Sequence, residues 1–212
     1  MELSDHEFGM DERGRMARRD QTASQAESWI HARRTVLPKR LKAPGPSAAE
    51  LDRIVRVAAA APDHDQLLPW RFVLVPASAR ERLATVFEQA LVIRDSLATT
   101  DQCEQAREKA FRAPVLVLAV ARLSGDDAVM PDSERLLSLG CAVQNMLLMA
   151  AALGFGSGLT SGKAMGAAPL RQLFGLGPQE CAVCFLSIGT VVEARPGKPR
   201  PEPARYFSVL PA

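Results

Sequence analysis

Arg33-Arg34-Thr35 sets two planar guanidinium groups beside a hydroxyl, a combination suited to bidentate capture of a phosphate. An arginine pair at a helix end can equally satisfy the last carbonyls and the helix dipole, and the triplet by itself favours that plainer use. The run Ala61-Pro62-Asp63-His64-Asp65-Gln66-Leu67-Leu68-Pro69-Trp70-Arg71-Phe72 holds the next candidate. Its prolines restrict the residues before them to extended conformations, so the polar centre is held rigidly, and rigid polar loops are where binding chemistry concentrates. His64, flanked by Asp63 and Asp65, is either a hydrogen-bond donor to a ligand or a loop staple held by a carboxylate. Trp70 reads as a core anchor more readily than as a stacking platform.

Gly154-Phe155-Gly156-Ser157-Gly158 follows a helical pattern instead of opening one, and no P-loop Lys-Ser/Thr pattern accompanies it, which argues against a nucleoside triphosphate site. Glycines there offer either close backbone approach to a flat ring or a helix C-cap with a tight turn. His6 and His31 complete neither a metal set nor a Ser-His-Asp order, so hydrolase chemistry loses support. Cys181 and Cys184 form a CxxC in a strand-like run, where an offset of three is expected to place the side chains on opposite faces. With no second CxxC or histidine cluster to complete a zinc site, they read as buried structural thiols, and no metal is expected.

The elements that must position these groups belong to a chain of 212 residues, 47% hydrophobic with a formal net charge of +2, which suits one domain with a substantial core. Matched charges argue against a nucleic-acid footprint and point to a small molecule or another protein. The weakly polar stretch Cys141 to Leu153 is too short to cross a bilayer, and the acidic start lacks the features of a signal peptide, so a cytoplasmic protein with no membrane partner is expected.

Residues 1–24 lack a sustained apolar period and read as a mobile N-terminal extension, with the folded domain, 25–212, beginning near Gln25. Ser47 with Glu50, Ser78 with Glu81 and Asp101 with Glu104 resemble helix-opening signatures. Phe72 to Val75, Pro114 to Val120 and Cys181 to Val192 read as strands, the second buried on both faces. A long helix is expected from about Asp132 to Leu153, apolar on most of its circumference, and a short one around Pro169 to Phe174; a Pro-rich tail follows from Pro196. The order suits an α+β sandwich built on a small mixed sheet flanked by helices.

Taken together, Arg33-Arg34-Thr35, the Ala61 to Phe72 loop, Leu139-Gly140-Cys141-Ala142-Val143 with Gly154-Phe155-Gly156, and Phe185 to Thr190 resemble the FMN-dependent nitroreductase family, especially its compact bacterial members. The resemblance implies a three-layer sandwich assembled as a domain-swapped-style homodimer, with two FMN sites at the subunit interface lined by both chains. It implies that Arg33, Arg34 and Thr35 hold the FMN phosphate and that His64 sits near the flavin. Where the family places a polar flavin contact four residues beyond that histidine, this chain has Leu68, leaving Gln66 or the backbone to substitute. Leu159-Thr160-Ser161 stands where close relatives carry a tryptophan and an arginine before the serine, leaving phosphate charge to Lys163 or Arg205.

The implied reaction is ping-pong: NADH or NADPH gives a hydride to flavin N5 and leaves, and a small electron-poor acceptor such as a nitroaromatic or quinone takes the electrons from the same face. The cofactor carries the chemistry, so no side-chain acid or base is demanded and no catalytic residue is assigned. Two other readings stay open at this point: an FMN-binding or flavin-processing protein of the same fold without nitroreductase turnover, and an interaction module using the basic arm at Arg13, Arg15, Arg18 and Arg19.

Overall fold

The computed structural model describes residues 12–123, 130–193 and 199–211. Strand β3 (Val115–Arg122) is the spine of the molecule. Its alternate side chains feed two separate cores: Val117, Ala119 and Ala121 on one face, Leu116, Leu118 and Val120 on the other. A strand buried this way needs apolar residues at every position, which is why its sequence shows no alternation. On either side lie β2 (Trp70–Leu74) and the twelve-residue β5 (Glu180–Val191), both antiparallel to β3. Short β1 (Leu41–Lys42) and β4 (Gly156–Thr160) both pair with β5, also antiparallel. The sheet expected to be mixed is antiparallel in all its named pairings, and the parallel component is a single bridge between Thr35 and Ser157.

One face of the sheet is covered by α2 (Ala48–Arg56) and the 21-residue α5 (Asp132–Ala152), which buries Leu139, Ala142, Val143, Met146, Leu147 and Ala150. The length and composition of α5 could by themselves cross a membrane, but those six apolar residues fill this layer, while Leu136 and Leu137 stand exposed. The other face carries α3 (Arg80–Arg94), flanked by α4 (Thr100–Glu108), and α6 (Ala168–Leu173). Helix, sheet and helix layers make the three-layer α+β sandwich. Buried Arg80 ties α3 to both neighbouring strand ends, donating to the carbonyls of Val75, Ala110 and Pro114 at 2.7–3.1 Å.

Several local expectations shift. Helix α1 (Glu12–Ala32) starts well before Gln25, through residues expected to be mobile; residues 1–11 lie outside the described residues. The side chains of Arg13 and of residues 15–32 stand exposed, and the helix draws mainly on Arg, Ala, Gln and Glu, which favour helix with no apolar stripe to signal it. Ser47 and Glu50 form the expected reciprocal capping box, whereas α4 is capped by Thr99 and Gln102, two residues before the expected pair. Ser78 lies in a short 3-10 turn, Ala77–Ala79, and caps nothing. Cys181 and Cys184 pair with Ala121 and Ala119, with Val183 as the extra residue of a β-bulge. The bulge cancels the odd offset, so both cysteines pack on the α5 face rather than on opposite faces. Burial raises both thiols, Cys184 to about 11, as expected of inert core cysteines.

Candidate functional site

Where the chain leaves α1 it runs beside β4, and three arginines gather there. Half-buried Arg33 donates from Nη1 to Thr35 Oγ1 at 3.4 Å, and Arg200 of the C-terminal segment donates from Nη2 to the Arg33 carbonyl at 2.9 Å. Burial, then the neighbouring Arg200 and Arg34 charges, pulls the Arg33 guanidinium below its ordinary pKa. A guanidinium set among neighbouring cations in this way is arranged for an anion. Arg34 has a different job: it donates to the His31 and Arg33 carbonyls, closing the end of α1. The expected alternatives to the family arginine lie elsewhere. Lys163 lines a neighbouring cavity, and Arg205 is exposed in a short 3-10 turn, Pro203–Arg205. Arg200 sits in a proline-rich tail, distant in sequence from the cluster it joins, so no local pattern marks it.

The β4 edge beside this cluster is open and polar. Val36 donates its amide to the Ser157 carbonyl at 2.8 Å, turning that edge of β4 away from β5. Gly158 permits the approach, since a Cβ there would stand 2.2 Å from the Val36 oxygen. The Ser157 hydroxyl is buried with no hydrogen-bond partner among the described residues. By strand alternation the Leu159 amide faces the same edge as that of Ser157, just past the pairing with Val36. Leu159 directs its half-exposed side chain to the α5 face, opposite its cross-strand partner Leu186, whereas Thr160 and Ser161 line the opposite, α3 face. A cavity of about 800 Å³ opens there, with Leu116, Phe185 and Ser187 of the sheet, Phe87 and Leu91 of α3, and Leu37 and Pro38 among its lining. Its size is that of a small-molecule site.

The histidine loop lies elsewhere. Ser138 of α5 donates to the Pro62 carbonyl at 2.6 Å, and His64 stands 3.4 Å from Asp65 and 3.7 Å from Glu134 of α5. Asp65, Gln66 and Leu68 all adopt positive φ, at 50°, 54° and 45°. For Gln and Leu that conformation costs roughly 1–2 kcal/mol each, strain of the kind concentrated in functional loops. Leu68 donates its amide to Asp63 Oδ2 at 2.8 Å, so that backbone donor is already used, and buried Asp63 Oδ1 is left without a partner among the described residues. Trp70 is a core anchor, as expected.

Two half-sites therefore stand apart. Trp70 pairs with Ala121 at one end of β3, and Ser157 lies across β5 from Val115 at the other. Six residues of strand separate these levels by roughly 20 Å before any lateral offset is added. One chain brings Arg33 and Thr35 to the β4 edge and Thr160, Ser161 and Lys163 to the adjoining cavity, and leaves His64, Gln66 and Leu68 near the other end of β3. Among the described residues no cluster of three or more His, Cys, Asp or Glu side chains is arranged to hold a metal ion.

A sequence profile of the nitroreductase family matches residues 30–190. This chain belongs to the nitroreductase family. It is 35% identical over 155 residues, 73% of its length and 83% of the relative's, to a Haemophilus influenzae protein named "Putative NAD(P)H nitroreductase". It is 36% identical over 151 residues, 71% of its length and 81% of the relative's, to the Escherichia coli K12 protein named "Putative NAD(P)H nitroreductase YdjA". Among solved structures, a nitroreductase-like family protein from Bacillus cereus superposes with a TM-score of 0.75 at 19% identity, covering 87% of this chain and 95% of that one. The FMN and NADPH-dependent nitroreductase NfnB from a Sphigopyxis strain gives 0.68 at 18% identity, covering 88% and 99%. Both show the nitroreductase fold. The profile begins at Ile30, so most of α1 lies outside the family match.

Proposed function

We propose that this chain is a cytoplasmic NAD(P)H-dependent flavin oxidoreductase of nitroreductase type. It binds FMN at the β4 edge and passes electrons by ping-pong exchange to a small electron-poor acceptor such as a nitroaromatic or quinone. The observation that carries the reading is the gathering of Arg33 and Arg200 around Thr35 at an open strand edge. Mutually repelling guanidinium groups fit a dianionic phosphate, the unpartnered Ser157 hydroxyl fits a ligand rich in oxygen, and Gly158 keeps the backbone clear for close approach. The names of the curated relatives and of NfnB agree with that reading.

Bound FMN would supply the hydride chemistry, accepting from the nicotinamide and delivering to the acceptor. The residues of the chain hold, orient and shield. Arg33, Arg200 and Thr35 would grip the phosphate, while Arg34 acts at one remove by closing α1. The outward Leu159 amide is placed to orient a ring against the strand, and Thr160, Ser161 and Lys163 form the adjoining part of the cavity through which substrates would reach it. His64, Gln66 and Leu68 would close the site from a second copy of the chain, because their own chain holds them too far away. That assembly would also cover the C-terminal Tyr206, Phe207, Val209 and Leu210, which are 70–89% exposed in the single chain.

A second reading, flavin binding without turnover, is favoured by the commitment of the Leu68 amide to Asp63. Steady-state oxidation of NADH and NADPH by the FMN-loaded protein, with menadione and nitrobenzene as acceptors, separates the two. Acceptor-dependent oxidation is the expected result; retained FMN with no oxidation would leave only the second reading.

A further inference from the structure

We propose that the α3–α4 side of the cavity is a subsite for an anionic substituent, a carboxylate or phosphate, on the electron donor or acceptor. The inference rests on the flavin reading above and adds a substrate class to it. Arg94 at the end of α3, and Lys109 and Arg112 just after α4, line this side, with Lys39 and Lys163 also contributing to the same cavity. The cavity lining includes one carboxylate, Asp95, whose Oδ1 accepts the Leu97 amide at 3.1 Å. None of the five cations makes an ion pair or side-chain hydrogen bond with a described residue.

Other arginines that pack against the body of the fold have their guanidinium groups satisfied. Arg71 pairs with Glu180, Arg107 with Glu81 and Glu88, and Arg80 and Arg171 with backbone carbonyls. Five cations in one cavity with no partner among the described residues, against the apolar side chains of Phe87 and Leu91, focus a positive potential into it. The cofactor phosphate does not account for them, because Arg33 and Arg200 stand outside the cavity lining. Donor and acceptor use one site in turn in a ping-pong exchange, so one anion subsite can serve a phosphate of the dinucleotide and a carboxylate of the acceptor.

The test compares 4-nitrobenzoate with its neutral analogue 4-nitrobenzamide, titrated calorimetrically into the FMN-loaded protein. The expected result is tighter binding of the anion by about fivefold or more, a preference that shrinks as salt is raised. The Arg94→Gln/Arg112→Gln double variant should lose the preference and Arg94→Lys/Arg112→Lys keep it. A rise in the KM for NADPH relative to NADH in the glutamine variant assigns the subsite to the donor phosphate; a loss confined to nitrobenzoate assigns it to the acceptor. Equal affinity for the two probes, a preference that survives the glutamine variant, or a shift in flavin midpoint potential with the preference unmoved would overturn the proposal. Absence of flavin absorbance after loading would instead strike the flavin reading, a result visible before any probe is added.

Discussion

Replacing Arg200 by Ala removes a guanidinium and its hydrogen bond to the Arg33 carbonyl. In the ligand-free protein two effects oppose each other. The lost hydrogen bond at an exposed site is worth roughly 0.5–1.5 kcal/mol. Against that, Arg33 is relieved of the stronger of the two like charges that depress its pKa, a repulsion that water holds to about 1 kcal/mol or less. Ligand-free stability should therefore change by less than about 1 kcal/mol. With FMN present, the same change deletes a charge-assisted contact to phosphate worth about 1.5–3 kcal/mol, which weakens binding roughly 10- to 150-fold. Quenching of FMN fluorescence on titration with protein, at low and high salt, gives the dissociation constant, and urea denaturation of the ligand-free protein gives the stability. Arg205→Ala, at an exposed position away from the cluster, should leave affinity within about twofold. Wild-type affinity in Arg200→Ala, or an equal loss in Arg205→Ala, would refute the assignment of the phosphate site.

Gly158→Ala should push Val36 off β4, because the added Cβ would stand 2.2 Å from the Val36 oxygen; a loss of about 1–3 kcal/mol in urea denaturation together with weakened FMN binding is expected. Ser157→Ala removes a buried hydroxyl that has no partner among the described residues. The ligand-free protein should keep its stability or gain up to about 1 kcal/mol, while FMN affinity falls; a clear destabilisation without ligand would show the hydroxyl to be structural. Glu180 is held down to about 2, first by its hydrogen bond with Arg71 and then by the Gly177 amide and the Arg71 and Arg122 charges. A depressed carboxylate stabilises the fold above its unfolded value of 4.5 and loses that contribution as pH falls toward about 2. The contribution is about 3 kcal/mol, and Glu180→Gln should remove most of it and flatten the stability profile across that acid window, as read by chemical denaturation at several pH values.

Local rules carried the reading of the fold where the interactions themselves are local. The Ser47–Glu50 box and the unbroken apolar run of β3 follow from neighbours a few residues apart, and both stand as expected. Misplacements came where a local pattern had a competitor. Thr99 and Gln102 cap α4 in place of Asp101 and Glu104, and α1 forms without an apolar stripe. The cysteine faces turned on a bulge at Val183, a property of pairing with β3 rather than of β5 alone. Arg200 shows the same limit at the site: its meaning lies in a contact with Arg33 across 167 positions, and nothing in its own neighbourhood signals that. The histidine loop was legible as rigid and polar, whereas its separation from the arginines depends on sheet register, which decides what one chain can place around one ligand.

The visible spectrum of the protein loaded with FMN, recorded before and after anaerobic addition of NADH or NADPH, tests the central claim most directly. A bound flavin spectrum that bleaches with the nicotinamide and returns on addition of menadione is expected. A protein that stays colourless after incubation with excess FMN, or a bound flavin that neither nucleotide bleaches, would contradict that claim.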